Sequence, residues 1–307
     1  MMRYLLPLLL PLAACAATGT AAPLAGPSAA GRAAPPAAFA SERIGVTVVG
    51  SGPDVVLIHG LSSSAEVWTS TVAAMPGYRY HLVQVSGMGG RAPGANADGE
   101  VVGPVAEEIA RYIHEAGLQR PAIVGHSLGG AWGMMVTARH PELVGKLMVV
   151  DMLPFLGAMF GGPGATPETV RPLAEQFRQG IASSTGPQRD AIVKSTIDTM
   201  VRTESLRPLA LRHSLASDPA VSGQAMYDLI TTDLMPELKN IRVPMTVLWV
   251  RAPNAPVTDA QMAGFYKLAY ANVPHARVAQ VPNSYHFIMW DEPAAFQREL
   301  KSFLGGS

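Results

Sequence analysis

From residue 44 onward, short apolar runs alternate with longer stretches in which apolar positions recur with helical period. The runs at 44–49, 54–59, 80–85, 121–125 and 146–151 are rich in Val, Ile and Leu, and the Gly50-Ser51-Gly52-Pro53 turn parts the first two. Short apolar runs bounded by turn residues are the pattern of strands. Helical period occupies 65–75, 101–116 and 128–140, and in the second of these Ile109, Tyr112 and Ile113 share one face. Strands that are apolar on both sides and alternate with helices predict a parallel sheet covered by helices on both faces.

Between 152 and 243 the alternation stops, and only helical signals are present. Thr166-Pro167-Glu168 places an N-cap residue before a proline at the first helical position, opening a helix towards 181. Further helices are predicted at 187–200, 206–215 and 222–231. The sheet then resumes with a strand at 245–250, a helix at 259–271, a strand at 277–281 and a closing helix at 293–303. A helical insert between the sixth and seventh strands predicts a cap over the carboxyl ends of the strands, where open parallel sheets bind their ligands. The core is then 41–151 with 244–307, and the cap is 152–243.

Composition adds the N-terminal segment to this picture. The chain of 307 residues is 48% hydrophobic and 15% charged, enough apolar material for a large core that needs neither disulfide nor metal. Its 23 Lys and Arg balance 23 Asp and Glu, and no basic stripe points to a nucleic-acid partner or an electrostatic membrane surface. Residues 1–14 read as a targeting segment, with Met1-Met2-Arg3 as the positive start and 4–12 as an apolar run too short to span a bilayer. The run ends in Leu12-Ala13-Ala14-Cys15, which resembles the lipobox of bacterial lipoproteins. That resemblance implies cleavage before Cys15 and a lipid anchor on it, and Cys15 is the chain's single cysteine. The alternative is an ordinary secretory signal cut further on. Either reading exports the protein, as a periplasmic protein or a cell-envelope lipoprotein. Residues 15–40 are almost wholly Ala, Pro, Gly, Ser and Thr, the composition of a flexible tether.

The candidate chemistry centres on Ala122-Ile123-Val124-Gly125-His126-Ser127-Leu128-Gly129-Gly130. A strand feeds into G-x-S-x-G and a helix follows, so the glycines permit a sharp reversal that leaves the Ser127 hydroxyl exposed. A serine needs an imidazole to accept its proton. His286 lies in a loop between the last strand and the terminal helix, whereas His126, inside the bend, is expected to point away from the catalytic face. No cluster has metal-ligand spacing, no cofactor motif is present, and Ser86-Gly87-Met88-Gly89-Gly90 lacks the G-K-[ST] of a phosphate-binding loop. That glycine-rich stretch predicts a mobile loop near the pocket.

Together with His59-Gly60 and the cap position, these residues resemble the α/β-hydrolase superfamily over residues 43–304. The resemblance implies an α/β-hydrolase fold and the catalytic order nucleophile, acid, histidine. It implies Ser127 as nucleophile, His286 as base, and the amides of Leu61 and Leu128 as an oxyanion hole. The acid departs from the usual pattern, because the loop that commonly supplies it reads Arg251-Ala252-Pro253-Asn254-Ala255 and holds an amide or a methyl group there. Asp151, at the end of the sixth strand, matches the placement in a subset of the superfamily that includes haloalkane dehalogenases. Asp259, at a helix start, is the other carboxylate. The family reading is an esterase acting on a small-molecule carboxylic ester, with Trp68, Met88, Leu153, Phe155 and Met159 as candidates to line the pocket alongside Phe160, Met200 and Met226. Apolar residues at helical spacing are more often plain cap packing, which is the alternative for the same set. A lactonase, a thioesterase, another hydrolase using the same triad, or a binding lipoprotein without catalysis are the alternatives.

Overall fold

The computed structural model describes residues 39–162, 164–252 and 255–305. The predicted leader 1–14, the lipidation candidate Cys15, nearly all of the 15–40 tether, and Asn254 lie outside the described residues.

Seven strands form one sheet in the order β1-β3-β2-β4-β5-β6-β7. They are β1 (Ile44–Gly50), β2 (Asp54–Ile58), β3 (Arg79–Val85), β4 (Ala122–His126), β5 (Lys146–Val150), β6 (Met245–Trp249) and β7 (Arg277–Gln280). Only β1 runs antiparallel, pairing with β3 at the edge. The cap insert therefore leaves after the fifth strand and returns at the sixth, one strand earlier than the count read from the sequence.

Alternation along each strand divides the core in two. Val56, Ile58, Val83, Val85, Ile123, Leu147, Val149 and Val247 bury one face of the sheet. Val55, Leu57, Tyr80, Val124, Met148, Val150 and Leu248 bury the other. Each fully buried aliphatic side chain contributes roughly 1.5–3 kcal/mol, so both faces must be covered for the fold to persist. Helices α2 (Val102–Glu115), α3 (Leu128–Arg139) and α9 (Asp259–Ala269) cover the first face. The second is covered by α1 (Thr69–Ala74), the 3₁₀ turn Ala65–Trp68 before it, the short α10 (Ile288–Asp291) and α11 (Pro293–Gly305). Helix α3 is buried on almost every side, which explains its lack of a polar face.

The insert comprises α4 (Gly157–Gly161), α5 (Pro167–Ser183), α6 (Gly186–Met200), α7 (Arg207–Ala216) and α8 (Pro219–Thr231). Thr166 caps α5 by accepting from the Thr169 amide, as the Thr-Pro-Glu pattern predicts. The short α4 and α10 carry too few residues to show a period, and the sequence pattern misses both.

The cap is fastened to loops at the carboxyl ends of β2 and β3. Ser214 Oγ donates to the Ser62 carbonyl at 3.2 Å, and Ser62 Oγ donates to Ser222 Oγ at 2.8 Å. Gly89 N donates to Ser217 Oγ at 2.9 Å, and Asp218 N donates to the Gly87 carbonyl at 2.8 Å. These bonds correct the expectation of a loose 86–90 loop. Gly87 has φ +84, and a Cβ there would lie 2.7 Å from the Val221 side chain, so glycine lets α8 sit directly on the loop.

Candidate active site

The bend after β4 is tight for a physical reason visible in its neighbours. A Cβ on Gly125 would run into the Gly129 carbonyl, and one on Gly129 would run into the carbonyls of Ile58 and His59. Glycines therefore bring β2, β4 and α3 together, and Ser127 between them is forced to φ 55, ψ −125. Non-glycine residues rarely adopt such a conformation, and when they do the surrounding structure must hold them there. Asp151, the first residue beyond β5, has φ 55 as well. His126 pairs with Val150, and Ser127 N donates to the Val150 carbonyl at 2.9 Å, so Ser127 and Asp151 end adjacent strands side by side.

The His286 ring reaches this rim. Its Nδ1 lies 2.6 Å from Asp151 Oδ2, with the side chains 22% and 10% exposed. The other oxygen, Asp151 Oδ1, accepts from Val250 N at 3.1 Å and from the Tyr266 hydroxyl at 3.2 Å. Three donors thus hold the carboxylate in one orientation. Asp259 goes elsewhere: it is 57% exposed and accepts from Arg251 Nε at 2.6 Å, which holds its carboxyl below the usual range. The His286 ring is hydrogen-bonded to Asp151 and not to Ser127, an arrangement common in resting sites that close with substrate. Leu128 opens α3, so its N–H has no intrahelical partner. Leu61 follows Gly60, where a Cβ would lie 2.9 Å from Ser127 Cβ, which places the β2 loop against the nucleophile candidate.

His126 does not point away, contrary to the sequence reading. Its ring centroid is 4.6 Å from that of His286 and 4.7 Å from that of Phe287. Its Nε2 lies 3.0 Å from the His286 carbonyl, and burial, then the neighbouring His286, holds the imidazole well below its ordinary range. A neutral His126 therefore donates through Nε2, and its buried Nδ1 has no partner among the described residues. The only sequence signal was a histidine ending an apolar strand.

Most of the expected pocket residues are packed instead. Trp68 and Met88 have no exposed surface, and Leu153 and Phe155 retain only a few per cent. Trp68 lies 6.1 Å from Phe296 in the core beneath the sheet, and Phe155 packs in the cap with Val170, Ala174 and Ile230. Met159 and Phe160 are on the outside, 56% and 45% exposed. Of the two roles open to them, Trp68, Met88, Leu153 and Phe155 take packing rather than the pocket wall, while Met159 and Phe160 face outward.

Residues 55–299 match the model of the alpha/beta hydrolase family, and the chain belongs to that family. Among its relatives, a pimeloyl-[acyl-carrier protein] methyl ester esterase of Aeromonas hydrophila is 26% identical over 267 residues, covering 85% of this chain and 99% of the relative. The protein of the same name from Vibrio atlanticus is 29% identical over 266 residues, covering 83% and 96%. A hydrolase from Pseudomonas aeruginosa superposes with a TM-score of 0.71 at 16% identity, over 86% of this chain and 94% of that one, which shows the shared fold.

Proposed function

We propose that this protein hydrolyses a carboxylic ester through an acyl-enzyme formed on Ser127. His286 takes the Ser127 proton as the hydroxyl attacks the ester carbonyl, and gives it to the departing alcohol. The same imidazole then deprotonates the water that releases the acid. Asp151 keeps the His286 proton on Nδ1, leaving Nε2 to face Ser127, and stabilises the imidazolium as it forms. The N–H groups of Leu61 and Leu128 receive the oxyanion, and losing one such donor costs about 3 kcal/mol of transition-state stabilisation.

The observation that carries this reading is the 2.6 Å His286–Asp151 bond at the rim where Ser127 projects. The names of the Aeromonas and Vibrio relatives support an ester of a small alcohol. A fluorophosphonate probe should label the wild-type protein and leave Ser127→Ala unlabelled. An unlabelled wild type would turn the reading towards a binding protein on a hydrolase scaffold. A panel of esters, lactones and thioesters then assigns the bond type by relative kcat/KM.

Residues 1–14 as an export leader and Cys15 as a lipid attachment site complete the proposal. Cys15→Ser should move the protein from the membrane fraction to the soluble fraction. Unchanged fractionation would remove the anchor from the reading.

A further inference from the structure

The loop that carries His286 is tied to the cap as well as to the sheet. Asp291 ends α10 and is 8% exposed. Its Oδ1 accepts from Thr203 N at 2.8 Å, and its Oδ2 accepts from Arg202 N at 3.1 Å and from Tyr285 N at 2.9 Å. One carboxylate thus joins the segment that leaves cap helix α6 to the residue immediately before His286. Two further bonds run in parallel. Arg202 Nη1 donates to the Asn283 carbonyl at 2.6 Å, and Phe287 N donates to the Met200 carbonyl at 3.3 Å. Asn283 sits at φ 61, so the loop adopts a conformation that needs outside support.

Apart from the Tyr285–Asp291 bond, which lies within the His286 loop, each of these bonds joins residues 283–291 to residues 200–203. The His286 backbone itself is held from the opposite side, by His126 at its carbonyl. The base therefore hangs between the elbow and the cap, with Asp151 the partner of its ring.

We propose that Asp291 is a positioning residue for His286, and that through it the end of α6 sets where the imidazole stands relative to Ser127. This rests on the reading of His286 as the general base. The cap then does more than cover the site: an acyl or alcohol group that shifts the end of α6 shifts the base with it. Misplacement of a reacting group by about 1 Å can cost on the order of 10²-fold in rate, so this strap acts on turnover more than on binding.

Asn in place of Asp291 keeps the shape but has a single acceptor oxygen. It must turn its amide group towards either Thr203 N or the Arg202 and Tyr285 amides, so one arm of the bridge opens. The experiment uses the purified full chain with a p-nitrophenyl ester and compares Asp291→Asn, Arg202→Met, Arg202→Lys and His286→Ala. Asp291→Asn should lower kcat about 30-fold and leave KM within about twofold. Arg202→Met should lower kcat about fivefold, with Arg202→Lys restoring most of it, because the half-exposed Arg202 side chain contributes a bond to the Asn283 carbonyl and an ion pair to Glu292 rather than packing in the core. Hydrogen exchange in Asp291→Asn should quicken either at residue 203 or at residues 202 and 285 together, according to which arm opens.

Wild-type kcat in Asp291→Asn beside an inactive His286→Ala would overturn the strap alone. Full activity in His286→Ala would overturn the base assignment, and the strap with it. If Asp291→Asn does not fold, unchanged turnover in Arg202→Met overturns the proposal, and lysine-rescued loss supports it.

Discussion

His286 Nδ1 and Asp151 Oδ2 meet at 2.6 Å although 135 residues separate them, the entire cap included. The cap leaves the sheet immediately after Asp151, and His286 follows the last strand after the sheet has resumed. Carboxylate and imidazole can therefore meet only if the insert folds back and lets β6 pair beside β5. Asp151→Asn should leave the fold intact and lower kcat by about 10⁴-fold, since an amide in this place favours the wrong imidazole tautomer. Asp259→Asn should change kcat by less than about twofold, because it removes only an exposed ion pair. Turnover of a chromogenic ester by the two variants checks the ranking, and the reverse order would move the acid to Asp259.

Much of this site could be read from residue order alone, for reasons that differ from part to part. Gly125 and Gly129 mark the elbow because only glycine permits that backbone approach, and strand-to-helix periodicity surrounds it. Asp151 was legible as a carboxylate ending an apolar run. Asp291 and Asp228 were not, because the distant groups they hold are backbone amides, which leave no trace in a pattern of side chains. His126 was misjudged because its neighbour, His286, lies 160 residues away. Sequence cannot separate core from pocket wall at Trp68 and Phe155, because both roles ask for the same apolar chemistry. The 86–90 loop looked loose because the hydroxyls and amides that fasten it come from the cap.

Two helical glycines should respond in opposite directions to alanine. On Gly129 a Cβ would press on main-chain carbonyls of Ile58 and His59, which cannot rotate aside. Gly129→Ala should destabilise by about 3 kcal/mol through overpacking. Gly180, exposed on α5, has nothing within 4 Å of an added Cβ. Gly180→Ala should stabilise by up to about 1 kcal/mol through helix propensity and a less flexible unfolded chain. Thermal melts of both variants check the signs.

His59 gives the fold an acid-sensitive element. Its Nδ1 donates to the Gly60 carbonyl at 2.7 Å, and its Nε2 accepts from Val85 N at 3.1 Å, so both nitrogens serve the neutral ring. Burial lowers its pKa from 6.5 to about 4. Between those values the unfolded chain binds a proton that the folded protein refuses. The stabilisation is therefore complete above pH 6.5 and is lost progressively as pH falls towards 4. The displacement corresponds to about 3 kcal/mol. Urea titrations at several pH values should show a shallower loss of stability in this window for His59→Asn than for wild type, and equal slopes would show that another group is responsible.

Asp228 should prove to be a helix cap supplied from another element. The residue preceding α2 is Val101, whose side chain has no polar atom to satisfy the first amides of the helix. Asp228 Oδ2, from cap helix α8, accepts from Val101 N at 2.7 Å and from Val102 N at 3.1 Å. Its Oδ1 accepts from Gln224 at 2.7 Å. Burial, opposed by these bonds, pushes the Asp228 carboxyl above its ordinary range, so the charge itself is held at a cost. Asp228→Ala strands two buried backbone donors and should destabilise by about 3 kcal/mol. Asp228→Asn can keep its one oxygen on both amides and removes the buried charge, so its penalty should stay below about 1 kcal/mol. Denaturant unfolding separates the two cases: equal losses in both variants would mean that the negative charge at the start of α2, rather than the acceptor oxygen, is what the helix requires.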